Sequence, residues 1–195
     1  MKKIFIHIAV LLFVLSACSV SKNIQADQFL NQKGKDTRGN EMLIGKCTRS
    51  ALLEAPFKEW FVPNYDSYRV DSFTCTFIKP LLADKTITIF MGTWCGDSKR
   101  EVPRVLKMLD CCGFPEKRLT LVMVSNQSDA YKKSPQHEEA GKNIVRVPTI
   151  IIEEKGKETG RIIESPIVSL EKDLLSILKK NNYVPNYHDA RVNAR

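Results

Sequence analysis

The sequence predicts an α/β fold, because strand-like and helix-like segments alternate along residues 85–181. Three apolar runs rich in β-branched residues have the length and composition of buried strands, at 86–90, 119–124 and 147–152. Between the first two, apolar residues recur at i, i+3, i+4 and i+7, the spacing of one helix face: Val102, Val105, Leu106 and Leu109. The domain therefore starts in the order strand, helix, strand.

The end of the same domain adds a hairpin and a helix. Gly156 marks a turn after the third strand, and residues 161–164 are its expected hairpin partner. Ser165 and Pro166 have the residue types of a helix N-cap and a first helical position, so we predict a final helix from there. The predicted order is β-α-β-(α)-β-β-α, followed by a loose polar tail at 182–195.

Residues 1–17 are predicted to be a lipoprotein signal peptide. Lys2 and Lys3 precede an apolar run that is shorter than the ~20 residues needed to span a bilayer. The run ends in Leu15-Ser16-Ala17-Cys18, which resembles the bacterial lipobox, in which the cysteine is diacylated and becomes the first residue. The alternatives are an ordinary signal peptide and an uncleaved anchor.

Lipidation of Cys18 would attach the protein to a membrane. Residues 18–40 are polar and are predicted to form a flexible, lipid-anchored tether. The expected location is the bacterial cell envelope, facing the periplasm. Ser19 after the cysteine favours the outer membrane, by analogy with enterobacterial sorting.

Residues 41–84 are predicted to be a mostly helical N-terminal extension that covers one edge or face of the sheet. Residues 48–61 are helix-like with a break at Pro56. Residues 72–78 alternate aromatic or cysteine side chains with small polar ones, which favours a strand and leaves a helix possible.

The charge distribution argues against one class of partner, nucleic acids. The formal charge is +8, but the basic residues are scattered among acids, as on a solvated surface, and we expect no nucleic-acid partner.

With Cys18 lipidated, the remaining cysteines are Cys47, Cys75, Cys95, Cys111 and Cys112. Because their number is odd, at least one of these thiols forms no disulfide within the chain. Cys47 and Cys75 are either a structural pair or two buried thiols. The spacing fits no zinc site, and we expect neither metal nor cofactor.

Cys95 is the candidate reactive residue. It lies in the run Trp94-Cys95-Gly96-Asp97-Ser98, between the first predicted strand and the first predicted helix. A helix N-terminus offers free N–H groups and a partial positive charge, which favour a thiolate.

This region resembles the thioredoxins. They carry Trp-Cys-Gly-Pro-Cys-Lys at a strand-to-helix turn, a proline eight residues after the first cysteine, and an Ile-Pro-Thr loop with a cis proline. The corresponding features are Trp94 to Lys99, Pro103 and Val147-Pro148-Thr149. The chain also resembles uncharacterised thioredoxin-like proteins of Bacteroidetes. The resemblance implies a thioredoxin-like three-layer α/β/α sandwich over residues 85–181.

The resemblance also implies roles for individual residues. Cys95 would be the catalytic nucleophile, with Ser98 either donating a hydrogen bond to its thiolate or only capping the helix. The expected substrate-binding residues are Trp94, Gly96, Asp97, Val147, Pro148 and Thr149. Two positions depart from the family: Ser98 replaces the second cysteine, and Ile89 replaces a buried acid.

We therefore expect monothiol chemistry. Cys95 would attack protein or small-molecule disulfides to form mixed disulfides, and an external protein or small-molecule thiol would resolve them. One alternative is a non-catalytic binding or chaperone module with a vestigial site. Another is a glutaredoxin-like iron–sulfur site, suggested by Cys-Gly-Asp-Ser; the envelope location and Trp94 argue against it.

Overall fold

A computed structural model of the chain describes residues 29–189. The predicted signal peptide and Cys18 lie outside this range. Contacts divide the chain into residues 1–30 and 31–195, and the account below concerns the second unit. Within residues 29–189, no helix is both long and apolar enough to cross a membrane.

The α/β prediction is confirmed: within the residues that the structure describes, six strands form one mixed sheet, accompanied by four α-helices. The strands are β1 Gln32–Lys35, β2 Glu41–Cys47, β3 Lys85–Met91, β4 Leu119–Met123, β5 Thr149–Glu154 and β6 Lys157–Ile163. The helices are α1 Lys58–Ser67, α2 Ser72–Ile78, α3 Gly96–Cys111 and α4 Leu170–Leu178. The sheet order is β1-β2-β4-β3-β5-β6; β3 and β4 run parallel, and the other neighbours run antiparallel.

The end of the central strand β3, residues 89–91, is apolar and buried on both faces of the sheet, whereas Thr86 and Thr88 earlier in the strand are exposed and half-buried. Ile87 and Ile89 join a large core that also contains residues of all four helices. Phe90 joins a smaller core on the other face, with Val122 and Val147. The side chains of Trp94 and Cys95 pack against this smaller core, so the candidate site lies at its border.

The segment between β4 and β5 differs from the prediction. In place of the expected helix it contains a 3₁₀ turn at Ser128–Ala130 and otherwise irregular structure. Pro135 and Gly141 interrupt the segment, and Asn143 adopts a positive φ. These residue types favour turns over a continuous helix.

Part of the predicted tether belongs to the sheet. Strand β1 pairs with β2, and Asp36 in the turn between them is buried and accepts N–H groups from Arg38 and Asn40. The prediction missed this strand because β1 is polar and half-exposed. A strand at the sheet edge needs no apolar face.

The extension is mostly helical, but it also contains a strand that was not predicted. It begins with β2, which pairs with β4 and extends the sheet by one strand. Residues 72–78 form helix α2 rather than a strand, because the Asp71 side chain caps the helix by accepting the Thr74 N–H. Thus the extension contributes both to the sheet and to the helices that cover it.

The last helix begins later than predicted. Its N-cap is Ser169, whose hydroxyl accepts the Lys172 N–H, and not Ser165. The carboxylate of Asp173 accepts the N–H groups of Ile167 and Val168 and so holds the preceding residues outside the helix.

An ion pair joins the extension to the end of α3. Arg49 donates two hydrogen bonds to the carboxylate of Asp110, at 2.8 and 2.6 Å, and Tyr65 donates a third at 2.6 Å. Partial burial works to raise the pKa of Asp110, but these bonds outweigh it and hold the pKa below its ordinary value.

This ion pair predicts acid sensitivity. Because the folded-state pKa of Asp110 is depressed, its stabilisation is present above the ordinary aspartate value and is lost as pH falls through the folded-state value. The pair is partly exposed, so we expect Asp110→Asn to cost about 1 kcal/mol near pH 6 and less at pH 3, which is below the ordinary aspartate pKa. Urea unfolding of both proteins at the two pH values measures this. An equal cost at both would contradict it.

Candidate functional site

Cys95 is the N-cap residue of α3, directly after the loop that leaves β3. Its backbone is extended, its N–H donates to the Gly92 carbonyl at 2.9 Å, and its side chain is half-exposed. The first N–H groups of an α-helix have no partner within the helix. The sulfur therefore lies at a helix start, as the sequence predicted, and remains accessible.

The Val147 carbonyl faces this sulfur. The Cys95 thiol donates to it at 3.3 Å, and the following Val147–Pro148 peptide bond is cis, as the resemblance implied. Pairing between β3 and β5 brings the two segments together: Phe90 is the register partner of Thr149, so the residues just before β5 meet the loop just after β3.

Trp94 forms one side of the site. Its indole N–H donates to the Val124 carbonyl at 2.7 Å, and its ring centroid lies 6.1 Å from that of Tyr131. The ring also lies against Gly92, where an added Cβ would come within 2.4 Å of it. Gly92 therefore sets how closely the tryptophan approaches the end of β3.

Replacing Gly92 with alanine should displace Trp94. A contact of 2.4 Å is impossible, and forcing side chains apart in a packed site costs typically 1–3 kcal/mol. We expect a lower thermal midpoint and red-shifted tryptophan emission in a Trp60→Phe background. Gly96→Ala is the matched control, since its added Cβ meets nothing within 4 Å. Equal behaviour of the two variants would contradict this packing.

Ser98 is fully buried in the first turn of α3. Its hydroxyl accepts the Gly92 N–H at 3.3 Å and thereby ties the start of the helix to the end of β3. This bond gives Ser98 a role in positioning Cys95. Its hydrogen bond to the Cys95 thiolate stays a prediction.

The remaining predicted site residues differ in accessibility. Gly96 is exposed beside the sulfur, and the Asp97 carboxylate pairs with Arg100 at 2.7 Å. Val147 and Pro148 are buried, so a substrate would meet their backbone. Thr149 is fully buried and its hydroxyl donates to the Arg146 carbonyl, so its side chain supports the loop and does not reach a ligand.

The other four cysteines of residues 29–189 are placed away from the α3 N-terminus. Cys111 and Cys112 follow at the far end of α3, and Cys75 lies beside Cys112. Cys47 is buried at the end of β2, and burial raises the pKa of its thiol to about 12. In the part of the chain that the structure describes, no group of three His, Cys, Asp or Glu side chains is arranged to hold a metal ion.

A cavity beside Trp94 was not predicted. It has a volume of about 430 Å³ and lies between the β1–β2 turn, the start of α1 and the Cys95 loop. Arg38, Trp60, Trp94 and Lys99 are among its lining residues. Two of these, Arg38 in the predicted tether and Trp60 in the N-terminal extension, belong to segments without a recognisable motif, and only the fold brings them next to the site.

No family model matches the chain, and no curated protein matches it. It is similar to the crystal structure of a protein of unknown function from Pseudomonas aeruginosa, at 12% identity and a TM-score of 0.46, over 77% of this chain and 89% of that one. At this level, the similarity carries no information on function.

Proposed function

We propose that the protein is a thioredoxin-like monothiol that carries out thiol–disulfide exchange at Cys95. The observation that supports it most is the meeting of two segments at one point: a half-buried cysteine at a helix N-terminus, and the Val147 carbonyl 3.3 Å from its sulfur. The order of strands and helices from β3 to α4 is compatible with a thioredoxin-like arrangement.

The exchange begins with the Cys95 thiolate. It attacks one sulfur of a substrate disulfide, a bond forms between that sulfur and Cys95, and the other substrate sulfur leaves as a thiolate. An extended substrate segment could pair with the backbone at Val147, as peptides do when they add to a strand end. Trp94 would exclude water from one side of the reacting sulfurs.

Completion of the exchange needs a thiol from outside the site. Ser98 holds the position of the second cysteine, and its hydroxyl is engaged with Gly92. Cys111 lies about 24 Å along the axis of α3 from Cys95, at 1.5 Å per residue. A substrate thiol, a small-molecule thiol or a partner protein would therefore attack the Cys95 sulfur and release the bound substrate.

We further propose that this chemistry takes place in a bacterial cell envelope. The support is the lipobox-like run ending at Cys18, which lies outside the described residues. Metabolic labelling with radioactive palmitate should mark the wild-type protein and not Cys18→Ala. Labelling of both proteins would contradict the anchor.

Capture of mixed disulfides in cells tests the proposed exchange. Cells are quenched in acid, thiols are alkylated, and peptides containing Cys95 are identified by mass spectrometry under non-reducing conditions. We expect Cys95 linked to other thiols, and none of these species in Cys95→Ala. Complete alkylation of Cys95 in the wild type would contradict the proposal.

A second candidate function is a binding module with an unreactive Cys95. The observation in its favour is Ile89, which is fully buried and apolar where thioredoxins hold a proton acceptor. In that case Cys95→Ala would keep every partner of the wild type. Loss of partners on this substitution would exclude it.

A further inference from the structure

Two buried cysteines meet between α2 and the end of α3. The Sγ atoms of Cys75 and Cys112 are 2.8 Å apart, and the two residues are 3% and 1% exposed. Non-bonded heavy atoms pack at about 3.5–4.0 Å, whereas a disulfide joins sulfurs at about 2.05 Å. The pair is thus closer than packed thiols and within about 0.8 Å of bonding distance.

We propose that Cys75 and Cys112 form a disulfide when the protein is exposed to a small-molecule disulfide such as oxidised glutathione. The inference is independent of the function proposed for Cys95, which lies at the opposite end of α3. The sequence left open a disulfide between Cys47 and Cys75. Because Cys75 lies against Cys112, the proposed partner of Cys75 is Cys112 instead.

Burial in the core explains why this pair is poorly suited to react directly with a dissolved disulfide. Burial raises the pKa of both thiols, and the negative charge of Glu171 adds to this at Cys112. Reduced, the two groups are neutral neighbours inside the large core. A crosslink between them costs no desolvation of charge, since a disulfide is also neutral.

Cys111 offers a route from solvent to the pair. It is exposed and directly precedes Cys112, at the end of α3 where Cys112 lies against Cys75. The Cys111 thiolate attacks an external disulfide and releases one thiol. Cys75 then attacks the Cys111 sulfur and releases the second. Cys112 attacks Cys75 and frees Cys111, so that the external disulfide is reduced while Cys75 and Cys112 together lose two hydrogens.

The crosslink would hold α2 against the end of α3. The two cysteines are 37 positions apart, and a bond across such a loop removes much of the freedom of the unfolded chain. The expected result is a rise of roughly 10 °C in the thermal midpoint on oxidation.

Oxidation of the full chain in a Cys95→Ala background tests this proposal. The protein is equilibrated with oxidised and reduced glutathione, quenched in acid, alkylated and digested without reduction. We expect one crosslinked peptide pair joining Cys75 to Cys112, together with the rise in midpoint. Recovery of both cysteines as alkylated thiols, or a crosslink to Cys47 instead, would overturn it.

Single substitutions test the Cys75–Cys112 crosslink and the route through Cys111 separately. Cys75→Ala should abolish both the crosslinked peptide and the oxidation-dependent midpoint shift, whereas in Cys112→Ala the route should stop with Cys75 joined to Cys111. Cys111→Ser should leave the endpoint unchanged but slow its formation by roughly tenfold or more, because the exposed entry thiol is gone. An unchanged rate would overturn the route through Cys111. Because Cys95 is absent throughout, failure of this test says nothing against exchange at Cys95.

Discussion

Replacing Ser98 with cysteine should give the site the resolving thiol that it lacks. The new sulfur would lie in the first turn of α3, within the same helical turn as Cys95. An intramolecular thiol competes far better than a dilute external one, so the lifetime of a mixed disulfide on Cys95 should fall by roughly 100-fold or more. The variant should also reduce insulin disulfides in the presence of dithiothreitol faster than the wild type.

Ser98→Ala is the matched control for this gain. It removes the hydroxyl without adding a thiol, so its mixed disulfide should last as long as that of the wild type. It should be slightly less stable, because the buried Gly92 N–H loses its acceptor, a cost of about 1–3 kcal/mol. If Ser98→Cys failed to form a disulfide with Cys95 under oxidising conditions, the placement of the site would be wrong.

Replacing Arg161 with alanine should loosen the loop that presents Val147. Arg161 is 4% exposed, donates two bonds to Glu158 at 2.7 and 2.6 Å, and donates to the carbonyls of Lys142 and Asn143 at 2.9 and 3.3 Å. Removal of one partner from a buried ion pair costs 3–5 kcal/mol, and since Glu158 is partly exposed we expect about 3 kcal/mol here. Denaturant unfolding measures this loss.

The same substitution should change Cys95. With the loop released, the carbonyl that accepts the Cys95 thiol is no longer fixed, and iodoacetamide should modify Cys95 faster. Arg161→Lys keeps the charge but not the forked geometry and should recover less than half of the lost stability. Arg38→Ala is the surface control, since the Arg38 side chain is 70% exposed. A loss as small as that of Arg38→Ala would contradict the role of Arg161.

The sequence predicted the parts of the fold that have a strong local signal. The runs at β3, β4 and β5 are apolar because they are buried on one or both faces, and α3 carries an apolar face at helical spacing. The placement of Cys95 at a strand-to-helix turn followed from these two signals. The facing residues Val147 and Pro148 could be named only through the resemblance, because nothing local pairs them with Cys95.

The errors have physical causes. Edge strand β1 is polar, so no periodicity distinguishes it from a tether. The aromatic residues of α2 follow helical spacing and do not face a sheet: Phe73 and Phe77 meet edge to face at the surface, with ring centroids 5.1 Å apart. The contact between Cys75 and Cys112 joins residues 37 positions apart and arises only from tertiary packing.

The fate of a mixed disulfide on Cys95 tests the central claim most directly. The purified Cys111→Ser protein, which lacks the other exposed thiol, is loaded at Cys95 with one thionitrobenzoate group, freed of reagent, and followed by absorbance as the group is released. If Cys95 is a monothiol site, the group stays bound in buffer and leaves with second-order kinetics when glutathione is added. Spontaneous first-order release without added thiol would reveal a resolving cysteine within the chain and contradict the account.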